Sequence, residues 1–229
     1  MVAVLVFPGT NCHEDIEYIY SRHLGIDTYF VRRGEVALPR ETRLAIVAGG
    51  FSYGDYLRSG ALAATSPSIG ALRRYIDGGG CVLGICNGFQ ILCEARLLPG
   101  ALLRNQSLRF ISKNVQLEVL NTNNHLLRNY KKGGRIRIPV AHAEGNYQVD
   151  SKTLESMHAN EQILLTYTTD LNGSVDRIAG ICNKEKTIYA MMPHPERAIN
   201  FKSINAKTPD NSSENIDGIE MLRSLYYLG

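Results

Sequence analysis

Long apolar runs are missing from this chain: nothing approaches the ~20 consecutive apolar residues that a membrane-spanning helix needs. No G-x-x-x-x-G-K-[ST] loop is present either, so the usual backbone cradle for nucleotide phosphates is absent. Cysteine is sparse. The five, at positions 12, 81, 86, 93 and 182, make no C-x-x-C pair and no Cys/His zinc spacing, which argues against a metal. An odd number without a disulfide framework suits a reducing compartment. The formal net charge is only +3, and the basic residues are scattered, as in Arg32-Arg33, Arg73-Arg74 and Lys131-Lys132. No stripe of them points to nucleic acid. No basic leader precedes the first apolar run, residues 1–7, which is too short for a signal peptide. The expectation is a soluble, cytoplasmic protein that binds neither nucleic acid nor membrane.

What is present fits a well-filled globular core. With 44% hydrophobic and 21% charged residues in 229 positions, the chain suits one sizeable domain or at most two small ones. Residues 2–7 read as a strand ended by Pro8-Gly9. Asn11 is placed to cap a helix with Glu14 and Asp15 in its first turn. Ile16, Ile19, Tyr20, His23 and Leu24 then fall on one helical face, with His23 read as a packed or partly exposed histidine and not a ligand. Residues 28–31 and 44–48 read as further strands. Ser66-Pro67 opens a helix with Ile69, Leu72 and Ile76 on its apolar face, and Gly78-Gly79-Gly80 ends it. Strands alternating with helices imply a doubly wound parallel sheet.

The chain turns on Gly84-Ile85-Cys86-Asn87-Gly88-Phe89-Gln90. A buried strand (81–85) leads into it and a helix leads away, giving the G-x-nucleophile-x-G pattern of a sharp strand-to-helix turn, with Cys as nucleophile. Such a turn puts the sulfur at the carboxyl end of the sheet, where ligands bind in open α/β folds. The helix N-terminus favours thiolate, and the Asn87 amide is free to donate to an oxyanion. The plain alternative is a buried, inert cysteine in an ordinary βα turn. Residues 49–60, glycine-rich and aromatic, follow another strand. They could cradle a phosphate, supply a second oxyanion donor from Gly50 or its neighbour, or form a surface loop.

The second half changes character. Residues 114–120 alternate polar and apolar, 135–140 and 163–168 read likewise, and 178–182 and 188–192 follow. Without intervening helices, these suggest partly antiparallel strands laid against the parallel half. Residues 202–214 are polar and read as loose. A closing helix from about position 215 would place Ile216, Ile219, Leu222 and Leu225 or Tyr226 toward the body.

A cysteine nucleophile needs a base, and the base needs an orienting group. Of the histidines at 13, 23, 125, 142, 158 and 194, His194 stands out: it follows a strand and is held between Pro193 and Pro195. In extended backbone Glu196 projects to the same side and can reach the imidazole. A structural Pro-His-Pro-Glu turn with a surface ion pair is the plain alternative.

The set G-I-C-N-G-F-Q followed downstream by H-P-E resembles the class I (triad) glutamine amidotransferases. Within that group, segments 49–61, 110–119, 139–147 and 191–197 are similar to the small, unfused glutaminase subunits that serve phosphoribosylformylglycinamidine synthases. The likeness runs from Gly9 nearly to the C-terminus. It implies one type 1 amidotransferase domain over residues 1–229, with a flavodoxin-like, doubly wound, mostly parallel sheet and an added antiparallel portion. It implies that Cys86 attacks the glutamine carboxamide, His194 relays protons and Glu196 orients it. Amides at Gly50 and Asn87 would hold the oxyanion, while Gln90, His142 and, more weakly, Arg109 would lie against the bound glutamine. The family often has Gly where Ala143 stands. No cofactor is implied in this chain; the resemblance places ATP and magnesium on a large ATP-dependent synthetase subunit that takes the ammonia, and implies a small third subunit in the same complex. Rival readings are another Cys-His-acid hydrolase, a differently partnered glutaminase, and a catalytically silent module.

Overall fold

The first apolar runs lie side by side as strands β1 (Val2–Val6), β2 (Thr28–Arg32) and β3 (Leu44–Val47). Strand β1 pairs in parallel with both others and is almost wholly buried, which explains its apolar sequence without alternation. Strand β4 (Cys81–Ile85) joins β3 on its other side, again parallel. The computed structural model describes residues 1–199 and 217–227.

Between β1 and β2, helix α1 (His13–Glu17) widens into a π-helical stretch at Tyr18–His23. The Leu24 amide donates to the Ile19 carbonyl and the Ile26 amide to that of Tyr20. The wider turn keeps Ile16, Ile19 and Tyr20 buried but swings His23 into solvent, off the face where regular helical spacing puts it. Cys12, not Asn11, occupies the cap position, and no side chain caps this helix. Asn11 instead accepts from the Cys12 thiol at 3.1 Å. Residues 33–43 carry no helix, so the expected alternation lapses there; Gly34 and Pro39 oppose helix formation in so short a span.

Helix α2 (Ala61–Ala64) is followed by α3 (Pro67–Asp77), with Pro67 at its first position. Helix α4 (Asn87–Glu94) begins directly after Cys86. Beyond it, β5 (Ala101–Leu103) pairs with β8 (Asn146–Gln148) in a small separate sheet. The remaining strands are β6 (Ile111–Val119), β7 (Arg135–His142), β9 (Ile163–Tyr167), β10 (Ile178–Cys182) and β11 (Ile188–Met191).

The main sheet runs β2-β1-β3-β4-β11-β10-β9-β6-β7. Strand β11 is parallel to β4 and antiparallel to β10, so it forms the seam. The antiparallel strands therefore continue the parallel part edge to edge and do not lie against its face. Helix α5 (Ser151–Ala159) also interrupts the second half, where alternation alone suggests no helix. It is capped by Asp150, whose carboxylate accepts from the Thr153 amide at 3.0 Å. Helix α6 (Ile219–Tyr226) buries Met221, Leu222 and Leu225, and the Leu222 carbonyl accepts from Tyr20 Oη. Asp217 and Gly218 form a turn ahead of it, so the helix starts later than position 215; Ile216 and the polar segment 202–214 lie outside the described residues. No helix among the described residues is long and apolar enough to cross a membrane.

Candidate active site

Cys86 stands between β4 and α4 with φ +51° and ψ −106°, a conformation that costs a non-glycine residue on the order of 1–3 kcal/mol. The surrounding packing enforces it. The Cys86 amide donates to the Met191 carbonyl at 2.8 Å, and its carbonyl accepts from the Phe89 amide at 3.0 Å. The two glycines of the motif serve close approach. A Cβ on Gly88 would overlap the Val47 carbonyl, and one on Gly84 would lie 2.9 Å from the Gly88 backbone. Their absence lets α4 rest directly on β3 and β4. The helix's first turn, whose amides lack intrahelical acceptors, is thereby fixed beside the sulfur.

Strand β11 brings the base to the same rim. Met191 is opposite Ile85, so the residues just past β11 and β4 emerge from neighbouring strands. The His194 amide donates to the Pro139 carbonyl at 2.8 Å, which anchors the segment to β7. Pro195–Arg197 is a single 3-10 turn, not the extended backbone that the i, i+2 argument assumes. The turn still brings the carboxylate round: His194 Nδ1 donates to Glu196 Oε1 at 2.6 Å, with the two side chains 2% and 0% exposed. That bond leaves His194 Nε2 buried and without a hydrogen-bond partner among the described residues.

Burial alone would depress the imidazole, but the Glu196 carboxylate and then the charge on Cys86 outweigh it. His194 is held well above the ordinary histidine value. Cys86 Sγ lies 3.6 Å from the Ala141 carbonyl and shares with His194 a cavity of about 400 Å³.

The two residues expected to supply backbone donors lie on different segments, Gly50 in the cavity lining and Asn87 buried at the start of α4. Gly50 has φ +145°, and a Cβ there would meet the Gly9 carbonyl at 2.6 Å, so both conformation and space require glycine. The adjoining strand-like contact uses the amides of Asn11 and Phe51 with the carbonyls of Gly49 and Gly9. The Gly50 amide is not used in it, and Gly50 lines the cavity. Asn87 contributes the first amide of α4. Its buried side chain accepts from the Ser52 amide (3.1 Å) and donates to Gln90 Oε1 (2.8 Å), which locks the 49–60 loop to the helix. Gln90 in turn donates to the Glu144 carbonyl at 2.6 Å.

Comparison with known proteins agrees with this layout. The CobB/CobQ-like glutamine amidotransferase domain matches residues 1–227. The chain belongs to that family. It is 54% identical over 198 residues to the phosphoribosylformylglycinamidine synthase subunit PurQ of Helicobacter hepaticus, covering 86% of this chain and 89% of the relative. The protein of the same name from Wolinella succinogenes is 50% identical over 225 residues, 98% of each chain. Among solved structures, a chain in the structure of PurLQS from Thermotoga maritima superposes with a TM-score of 0.84 at 38% identity, covering 98% of this chain and 96% of that one.

Several residues around the amidotransferase cavity escape sequence reasoning. Cys12 Sγ lies 3.9 Å from His194 Nδ1 and accepts from Arg197 Nη2 at 3.3 Å. Its position just past β1, at the same rim of the sheet, is the signal that could have found it. Ligand-type atoms of Cys12, His194 and Glu196 lie within 4.8 Å of one another. The set suits a cation poorly, because His194 and Glu196 bind each other and Arg197 already places positive charge at the sulfur.

Asn105, fully buried, joins two loops of the amidotransferase: its Nδ2 donates to the carbonyls of Arg109 and His142, and its Oδ1 accepts from the Gly145 amide and from His142 Nδ1. His142 itself lines the cavity. Burial, reinforced by the charge on His194, lowers its pKa to about 4. Arg109 is exposed and does not line the cavity, whereas its neighbour Phe110 does.

Proposed function

We propose that this amidotransferase is the glutaminase subunit of a phosphoribosylformylglycinamidine synthase. It hydrolyses L-glutamine to glutamate and ammonia, and the ammonia passes to an ATP-dependent synthetase subunit that converts formylglycinamide ribonucleotide to formylglycinamidine ribonucleotide in de novo purine biosynthesis. The observation that carries this reading is the buried His194–Glu196 pair beside Cys86, in a chain 50% identical over 98% of its length to a relative of that name.

The Cys86 thiolate attacks the side-chain carboxamide carbon. The amides of Gly50 and Asn87 take the negative charge that builds on the carbonyl oxygen. The protonated imidazole of His194, steadied at Nδ1 by Glu196, gives its Nε2 proton to the departing amino group, and ammonia leaves a γ-glutamyl thioester. Water, deprotonated by the now neutral imidazole, attacks the thioester carbon, and glutamate departs as the thiolate–imidazolium pair is restored. Gln90 and His142 form the wall against the substrate. The whole chain, residues 1–229, acts as one amidotransferase domain without a cofactor of its own. ATP and magnesium are held by the synthetase, a small third subunit completes the complex, and the site of action is the cytoplasm.

The test is reconstitution with the synthetase. Cys86→Ala should abolish glutamine-dependent synthesis and leave ammonia-dependent synthesis intact; loss of both would assign Cys86 a structural role. A glutamine-mimicking electrophile should modify Cys86 in preference to Cys12, the other thiol lining the cavity.

A further inference from the structure

We propose that Cys12 and Gly49 are positioning residues for the imidazole of His194. The sulfur of Cys12 is the wall behind the ring and the bare Cα of Gly49 is the gap beside it; together they set where Nε2 meets Cys86. The proposal rests on the glutaminase reading and deepens it.

The short bond from His194 Nδ1 to Glu196 Oε1, 2.6 Å, fixes one atom of the ring. Nε2 is buried without a hydrogen-bond partner among the described residues, so the ring can swing about Nδ1 unless its neighbours stop it. Cys12 is that neighbour on the Nδ1 side, buried, with Sγ 3.9 Å away. Its own bonds hold it still. The thiol donates to Asn11 Oδ1 at 3.1 Å, and Sγ accepts from Arg197 Nη2 at 3.3 Å. The Cys12 amide donates to the Gly49 carbonyl at 3.2 Å. Arg197 is itself anchored, its Nε donating to Asp15 Oδ2 at 3.1 Å. The turn that carries Glu196 thus supplies both the partner of Nδ1 and the group that holds the wall behind it. With its donor and acceptor spent on Asn11 and Arg197, Cys12 meets the imidazole by packing, where a gap of about 0.5 Å forfeits roughly a quarter of the attraction.

Gly49 completes the frame. A Cβ there would lie 3.1 Å from His194 Cε1, 3.2 Å from Cys12 Sγ and 3.4 Å from Cys86 Cβ. These approaches are tight without overlap, so a methyl group shifts its neighbours slightly and need not disturb the fold. The three atoms it meets belong to the base, the wall and the nucleophile. Cε1 stands between the two ring nitrogens, and a push there turns Nε2 relative to the sulfur of Cys86. Gly49 follows β3, which runs between β1 and β4, so a side chain at this one position would come between Cys12 and Cys86 and wedge the imidazole.

The experiment measures glutamine-dependent and ammonia-dependent synthesis by the assembled complex carrying Gly49→Ala, Cys12→Ala or both. Each single variant should lower the glutamine-dependent kcat about tenfold, since misplacing a reacting group by ~1 Å costs about a hundredfold. KM for glutamine should change by less than about twofold, and ammonia-dependent synthesis should be unaffected. In the double variant the lost sulfur makes room for the added methyl group, so the combined loss should be smaller than the product of the single losses. Cys12→Ser, which keeps the bonds to Asn11 and Arg197, should fall between Cys12→Ala and the wild type. Single losses that simply multiply, a raised KM with kcat unchanged, or an equal fall in ammonia-dependent synthesis would each overturn the proposal, and so would an unchanged kcat in both single variants. If the wild-type complex uses ammonia but not glutamine, the glutaminase reading fails and this inference with it.

Discussion

Replacing Glu196 with Gln keeps the shape and the acceptor of the side chain and removes only its charge. The pair it weakens spans 2.6 Å, with both side chains almost fully buried, so solvent screens it little. A hydrogen bond to a charged group contributes about 1.5–3 kcal/mol. If that energy supports the imidazolium in the transition state, Cys86 alkylation by a glutamine mimic slows roughly 10- to 150-fold, at about 1.4 kcal/mol per tenfold.

The pH dependence gives a second reading of the same variant. In the wild type, the charges on Glu196 and Cys86 overcome burial and raise the folded imidazole above its unfolded value of about 6.5. A raised pKa means that the pair's contribution to stability is complete below about 6.5 and is lost as pH rises through the folded value. With Gln at 196, burial is no longer offset to the same degree. The alkaline limb of the alkylation rate then moves to lower pH, and the stability advantage near neutrality shrinks. Rates against pH, with urea midpoints at each pH, measure both. A variant whose alkaline limb coincides with that of the wild type, with its rate undiminished, would refute the role given to Glu196.

Gly88→Ala adds a methyl group where the Val47 carbonyl already stands, so α4 or β3 must shift. The urea midpoint should report a loss of about 1–3 kcal/mol or more, typical of overpacking; a neutral result would contradict the close approach of α4. His142 tests the opposite sign of linkage, because its folded pKa, about 4, lies below the unfolded value of about 6.5. The stability lent by its neutral form is complete above about 6.5 and is lost as pH falls through the folded value. Imidazole nitrogen shifts should show His142 neutral until pH nears about 4, and ordinary titration would disprove its burial.

The parts of the site that were readable from sequence are those carried by short local patterns. Glycines two residues either side of Cys86, and a histidine between prolines with a glutamate next but one, hold their meaning within a few positions. The strand runs were readable for the same reason, since full burial makes them continuously apolar. Other features depend on distant partners. Cys12 joins the site because β1 is in the sheet with β4, and Asn105 because the 142–145 loop folds back onto it. Helix α5 buries only Met157, too little to mark a face, although Asp150 signals its start. The π-helical widening at Tyr18–His23 alters the register that regular spacing assumes, and no local residue type announces it.

The seam strand β11 has a consequence for how this chemistry can vary. Cys86 and His194 follow two adjacent strands, with the Cys86 amide bonded to Met191 of β11 and the His194 amide tied to Pro139 of β7. Their relative placement is inherited from the pitch of the sheet and owes little to the lengths of the surrounding loops. Insertions, deletions or drift in those loops can reshape the entrance, the lip or the docking rim and leave the reacting atoms in place.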